Sequence, residues 1–244
     1  MQKEKIYIYG RHAVFEALTN TPHALKKVFI SPNVSDPDLL TLLKERNVPT
    51  APLKGTEVKA DAGHQGLVGV VDTEKLLIPY AEFIAQLKPN KHTAVALLGG
   101  LHDPHNVGAI IRSAAAFGFS AVLIPEREQA PITGTVVKTS AGMVFRIPLI
   151  TVPSITDTIR DLRAQGFSTF GLDGDGSPLG SQSFKTPSLF IVGNEGSGMS
   201  DETKKLCDVV LSIPIHERTE SLNAAAAAAV VMYQWSSKHP ESLT

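Results

Sequence analysis

At 244 residues, with 43% hydrophobic side chains and a net charge of −1, the chain can bury one large core or two modest ones, and it lacks the overall basic excess of many nucleic-acid-binding domains. Its one cysteine, Cys207, excludes an intramolecular disulfide and a zinc site built on cysteines. No run reaches the roughly 20 apolar residues that cross a bilayer, and residues 1–10 lack the apolar stretch of a signal peptide, so a soluble, cytoplasmic protein with no membrane association is expected.

The first segment alternates short strand and helix patterns. Ile6 to Tyr9 reads as a strand, His12 to Leu18 as a helix and Lys27 to Ile30 as a second strand. Asp36-Pro37 opens a helix running to about Arg46, because aspartate caps the first turn and proline at the first helical position gives up an N–H that would be unsatisfied anyway. Gly66 to Val71, after Gly63-His64-Gln65-Gly66, closes a small α/β unit over residues 1–72. Residues 1–60 carry nine Lys or Arg against six acidic side chains, a local excess that a solvated surface explains as well as a ligand does.

Residues 73–91 read as a linker, with Pro79 and Pro89 bracketing an amphipathic segment from Tyr80 to Leu87. Over residues 92–244, apolar runs at 94–98, 121–124, 145–150, 167–172, 189–192 and 209–213 alternate with helical patterns. That alternation predicts a mostly parallel sheet covered on both faces.

Three stretches of this second domain leave a strand, pass through a polar loop and enter a helix. In the first, Asp103-Pro104-His105-Asn106-Val107-Gly108 reads as a turn before a helix from Ala109 to Phe117, which carries Arg112. The second, Gly193-Asn194-Glu195-Gly196-Ser197-Gly198, precedes a helix from Met199 to Cys207 with Ser200 as its cap. Its glycines leave backbone N–H and C=O groups open to a flat ligand, but they do not follow the G-x-G-x-x-G order of a dinucleotide loop. In the third, Ser221-Leu222-Asn223 begins a last helix with six alanines, a face with almost no side chain that suits close approach by a ligand or a second subunit. Loops after strand carboxyl ends are where α/β proteins bind ligands, so the three suggest one composite site. His102 and His105 lack a third ligand at a metal-binding spacing, so no metal is expected, and no G-x-S-x-G elbow marks a hydrolase.

Together, Leu101 to Ala114, Phe190 to Met199 and Ile213 to Asn223 resemble the three motifs of the SpoU-type RNA 2′-O-ribose methyltransferases of the SPOUT superfamily. Thr139 to Pro148 resembles the segment between the first two motifs. Tyr9 to Leu18 with His64-Gln65-Gly66 is similar to the substrate-binding domain of the subgroup acting on a guanosine of large-subunit ribosomal RNA. The resemblance implies a trefoil-knotted, parallel-sheet catalytic domain after a small α/β RNA-binding domain, a homodimer, and S-adenosylmethionine as methyl donor. It assigns a catalytic role to Arg112, as a clamp on the target phosphate and ribose, with Asn106 and Glu195 orienting it and Ser221 and Asn223 near the hydroxyl. Gly193, Asn194, Gly198, Ile213 and Leu222 would hold the donor. Arg11, Lys26, Lys27 and His64 are the candidates for gripping ribosomal RNA. A transfer-RNA substrate, a non-catalytic RNA-binding or ribosome-assembly factor on the same fold, and a nucleotide-dependent oxidoreductase are the competing readings.

Overall fold

The computed structural model describes residues 5–54 and 64–244; Gly63 of the expected turn lies outside them. The amino-terminal unit is a four-stranded sheet in the order β1-β4-β2-β3, built from β1 (Lys5–Tyr9), β2 (Leu25–Ile30), β3 (Thr50–Pro52) and β4 (Leu67–Asp72). β4 is buried along its whole length because β1 and β2 flank it antiparallel. Helices α1 (Arg11–Asn20) and α2 (Pro37–Glu45) belong to the same unit. Asp36 caps α2 by accepting from the Leu39 N–H, as the Asp-Pro pair predicts.

The expected linker is a structured segment. It holds the one-turn helix α3 (Thr73–Leu76), the strand β5 (Leu77–Pro79) and the helix α4 (Tyr80–Gln86). β5 joins the second sheet at its edge, beside the strand Leu149–Val152. A three-residue strand ending in proline gives too short an alternation to stand out from a loop, and proline is tolerated there because an edge strand leaves one side unpaired.

The second sheet has seven strands in the order β11-β9-β10-β6-β7-β8-β5, and every pairing is parallel. Its strands are β6 (Ala94–Gly99), β7 (Ala121–Pro125), β8 (Leu149–Val152), β9 (Ser168–Pro178), β10 (Ser188–Gly193) and β11 (Val209–Ser212). Successive side chains point to opposite faces, and both faces are covered. Ala94, Ala96, Leu98, Phe190 and Val192 pack into one core with α5 (Pro104–Ala116), α6 (Gly134–Thr139) and α9 (Ala224–Lys238). Val95, Leu97, Leu189 and Ile191 pack into the other with α7 (Ile155–Ala164) and residues of α4 and α8 (Asp201–Leu206). The first core continues into the amino-terminal unit through Ile6, Ile8, Val14 and Leu18.

Three expectations are corrected. The first loop is shorter than expected, since α5 already begins at Pro104 and Asn106 and Gly108 are helical. Residues 145–150 are not one strand: Met143–Phe145 form a 3-10 turn and β8 starts at Leu149. β9 is longer than its apolar run, with Val210 paired to Gly171 but Leu211 to Ser177, so residues 172–176 bulge out of the ladder with β11, while Leu172 still pairs with Val192 of β10. No described helix is long and apolar enough to cross a membrane.

Candidate active site

The carboxyl ends of β6, β9, β10 and β11 deliver the polar loops to one place. Asp103 caps α5 through the His105 N–H, which fixes the first helical turn and aims Asn106 inward, where it is 7% exposed. Asn223 caps α9 by accepting from the Ala225 and Ala226 N–H groups, leaving its amide nitrogen to donate to Asn106 Oδ1 at 2.8 Å. Asn106 in turn donates through Nδ2 to Glu195 Oε1 at 3.0 Å. The Glu195 carboxylate also accepts from the His102 and Asp103 N–H groups, each at 3.2 Å. This relay, Asn223 to Asn106 to Glu195, joins all three motif stretches. Partial burial works against ionisation of Glu195, but the donors around it outweigh that, and its carboxyl lies below the ordinary value.

Asn194 holds the second loop in shape. Its Oδ1 accepts from the Gly196 N–H at 2.8 Å and the Ser197 N–H at 3.2 Å, while Nδ2 donates to the Gly100 carbonyl of the first loop. Asn194 and Gly198 exchange two backbone hydrogen bonds, so the loop is a closed hairpin between β10 and α8.

Two contiguous cavities open here. One, of about 400 Å³, is lined by all five expected donor-binding residues, Gly193, Asn194, Gly198, Ile213 and Leu222 among them. Leu172, Val192, Leu211 and Ile215 supply further apolar wall, and the helix contributes Ala224 and Ala227. Apolar walls, exposed loop backbone and this volume fit a drug-sized ligand with a flat ring. The other cavity, of about 570 Å³, is lined by His102, Asp103, Asn106, Glu195, Ser221 and Asn223, along with their neighbours. Asn194, Glu195, Gly196, Ser221, Leu222 and Ala224 line both. Among the described residues, the Ser221 hydroxyl has no hydrogen-bond partner, so it is available to a ligand at the junction.

Sequence reasoning missed Asp173 and Lys204, which also line the first cavity and pair at 2.8 Å. Asp173 sits in the β9 bulge. Burial opposes its charge, yet the Lys204 ammonium and the Asp175 N–H hold its carboxyl below the ordinary value. The glycines interleaved in Asp173-Gly174-Asp175-Gly176 were the available signal, because glycine inside a strand pattern marks a bulge.

Arg112 is not brought into either cavity. It lies exposed on α5, seven residues beyond His105 and therefore on the same helix face, and among the described residues it has no hydrogen-bond or ion-pair partner. The four expected RNA contacts are scattered over the amino-terminal unit, and each touches protein. Arg11 pairs with Asp36 at 2.5 Å and lies over the Phe15 ring. Lys26 pairs with buried Asp72 at 2.7 Å, and Lys27 lies over Phe29. His64 Nδ1 accepts from the Gly66 N–H at 3.0 Å and so shapes a turn.

The sequence matches the SpoU rRNA methylase family over residues 93–233 and the RNA 2′-O ribose methyltransferase substrate-binding family over residues 7–76. A Staphylococcus saprophyticus protein described as a TrmH family tRNA/rRNA methyltransferase is 34% identical over 238 residues, 95% of each chain. A counterpart of the same description from Staphylococcus aureus is 35% identical over 241 residues, again covering 95% of each. The fold is shared with the SpoU methyltransferase AviRb of Streptomyces viridochromogenes, crystallised with AdoMet, with a TM-score of 0.79 at 23% identity over 97% of this chain and 91% of that one. An AdoMet-bound rRNA methyltransferase from Sinorhizobium meliloti gives 0.79 at 22% identity, covering 96% and 87%. With both family matches in sequence order and relatives aligned almost end to end, the chain belongs to the SpoU family of RNA methyltransferases.

Proposed function

We propose that this protein transfers a methyl group from S-adenosylmethionine to the 2′-hydroxyl of a ribose in RNA, with a guanosine of large-subunit ribosomal RNA as target. The observation that carries the reading is the relay from Asn223 through Asn106 to Glu195 at the junction of two cavities, one suited to a donor and one open to a substrate. The donor would lie against Gly193, Asn194, Gly198, Ile213 and Leu222, and it supplies an electrophilic methyl on a sulfonium. The chain's own residues then align the hydroxyl with that methyl, and such positioning can contribute about 7 to 11 kcal/mol.

Ser221 and Asn223 border the junction and would hold the ribose. A guanidinium such as that of Arg112 offers a planar fork of N–H donors and no acceptor, which suits a bidentate grip on phosphate and not the removal of a proton. Its exposed place on α5 leaves it free to take a phosphate outside the cleft. The amino-terminal domain would select the RNA element, with Arg11, Lys26, Lys27 and His64 as the contacts assigned to it. Because Lys26 and Arg11 are already paired, Lys27 is the cation of this set with no acidic partner among the described residues.

A homodimer fits the same reading. Ala226, Val230 and Tyr233 form an exposed stripe on α9, and the Tyr233 ring packs edge-on against Phe117 just beyond α5. That stripe is the proposed subunit contact.

The test is transfer of labelled methyl from S-adenosylmethionine to unmodified RNA, separated into ribosomal and transfer pools. Label in a ribosomal pool is expected, and label confined to transfer RNA would move the substrate assignment there. Arg112→Ala should abolish transfer while leaving donor affinity within about twofold; a matching loss of donor affinity would sink the phosphate role.

A further inference from the structure

We infer that Glu16 and Arg146 form a positioning pair that fixes the amino-terminal domain on the catalytic domain and thereby sets which nucleotide reaches the cleft. The inference rests on the reading of the amino-terminal domain as the RNA-selecting part.

Residues 134–146, from the start of α6 to the residue after the 3-10 turn, lie between the two domains. On one side they meet the active-site helix. A Cβ at Gly108 of α5 would lie 2.8 Å from Thr139 Cβ and 2.9 Å from the Val136 carbonyl oxygen, so only glycine lets α5 and α6 approach this closely. His105 Nδ1 and Thr139 Oγ1 meet at 3.3 Å, two residues from Asp103 and one from Asn106.

On the other side the same residues meet β1 and α1. Gly134 lies against the Tyr7 carbonyl, with a Cβ there falling 2.8 Å from the oxygen. His12 Nε2 lies 2.9 Å from the Ala141 carbonyl oxygen, which the left-handed backbone of Ala141 and Gly142 turns towards α1. Gly142 packs on Glu16, where a Cβ would come within 2.9 Å of Glu16 Cγ. Arg146 closes the junction with a fork on Glu16, Nε to Oε2 at 2.6 Å and a second nitrogen to Oε1 at 2.8 Å.

Glu16 is the residue in this junction that has no other explanation. Its side chain is only 7% exposed, a placement carboxylates avoid unless paired, and its partner Arg146 is 54% exposed and comes from the other domain. Among the described residues of its own domain, Glu16 has one side-chain hydrogen bond, from Asn20 Nδ2 at 3.1 Å. A two-point guanidinium fork restricts direction as well as distance, which a single bond or an apolar contact does not. Each of these contacts falls on one segment, and the opposite side of that segment touches the first turn of the active-site helix.

The test uses the full chain with Glu16→Gln, which keeps shape and removes charge, and Arg146→Ala, which removes the exposed partner if the first variant fails to fold. Arg146→Lys, which keeps the charge without the fork, serves as the conservative control. Paired spin labels at exposed Thr41 of α2 and Gln165 beyond α7, in a Cys207→Ser background, report the domain arrangement without any RNA. The expected result is one narrow distance in the unaltered chain and a broad one in Glu16→Gln and Arg146→Ala, with Arg146→Lys between. KM for RNA should rise about tenfold and methyl should appear at additional nucleotides, while donor affinity and kcat at saturating RNA stay within twofold. A distance that stays narrow, or a broadened distance with KM and the modified nucleotide unchanged, overturns the inference. If the unaltered chain methylates no RNA, the proposed function fails, and the distance measurement still decides whether the pair holds the domains.

Discussion

Asn223 does two separable things, and one substitution pulls them apart. Its Oδ1 caps α9 and its amide nitrogen feeds the relay. Asn223→Asp keeps the capping oxygen and loses the donor, so thermal stability should hold within a degree or two while methyl transfer falls about 100-fold, the scale of loss that small misplacement of reacting groups produces. Asn223→Ala should lose both, with about 1 kcal/mol of stability gone as well. Glu195 gives a pH prediction. Its folded pKa is depressed, so its contribution is present above the ordinary carboxylate value and is lost as pH falls through the lower, folded one. Donor affinity followed by calorimetry should therefore stay level from about pH 8 to about pH 5 and weaken only below that. Asn106, Glu195, Ser221 and Asn223 were singled out by the resemblance of their three stretches to known motifs, and the structure lines one cavity with all four. Their bonding was not legible, since Asn106 and Asn223 are 117 positions apart. The same limit hid the outward position of Arg112.

At α9, the alanine run reads in sequence as propensity and as a bare face, and the structure divides it three ways. Ala225 and Ala228 are buried, Ala224 and Ala227 line the cavity proposed for the donor, and Ala226 continues into the exposed stripe. Ala227→Leu should therefore fill donor space: affinity measured by titration calorimetry should drop at least about tenfold, with the melting temperature little changed because the added side chain enters a cavity and not a packed core. An unchanged affinity would mean the donor lies elsewhere. Elements whose cap and period agree, such as α2 behind Asp36-Pro37, were legible nearly to the residue. Residues 145–150 misled because Phe145, at the end of a 3-10 turn, and Ile147, just after it, are buried, and buried apolar side chains look the same in a strand. The β9 bulge was missed for the opposite reason, as its polar, glycine-rich residues resemble a strand's end.

For the molecule as a whole, the parallel sheet and the amino-terminal α/β unit were visible in the alternation of patterns, whereas their docking was not. A carboxylate on α1 and an arginine 130 positions later carry no periodic signal. The dimer proposal makes its prediction at this level: Tyr233→Glu, which puts a charge in the exposed stripe, should convert the protein to monomers in sedimentation velocity, while donor affinity falls only as far as the pocket depends on the contact. A chain that is already monomeric before substitution would remove the proposal.

The cavity proposed for the donor is assembled late in the chain, from residues 172 to 227. Its walls come from the β9 bulge, the loop after β10 and the stretch from Leu211 to Ala227, so it is complete only once α9 is docked. The Asn223–Asn106 bond beside it spans 117 positions, and closing a longer loop costs more entropy. Competence to bind a donor therefore reports that α9 has reached its place. A ligand that binds only this finished state also stabilises it in proportion to its concentration, so the supply of methyl donor would itself help keep finished molecules folded.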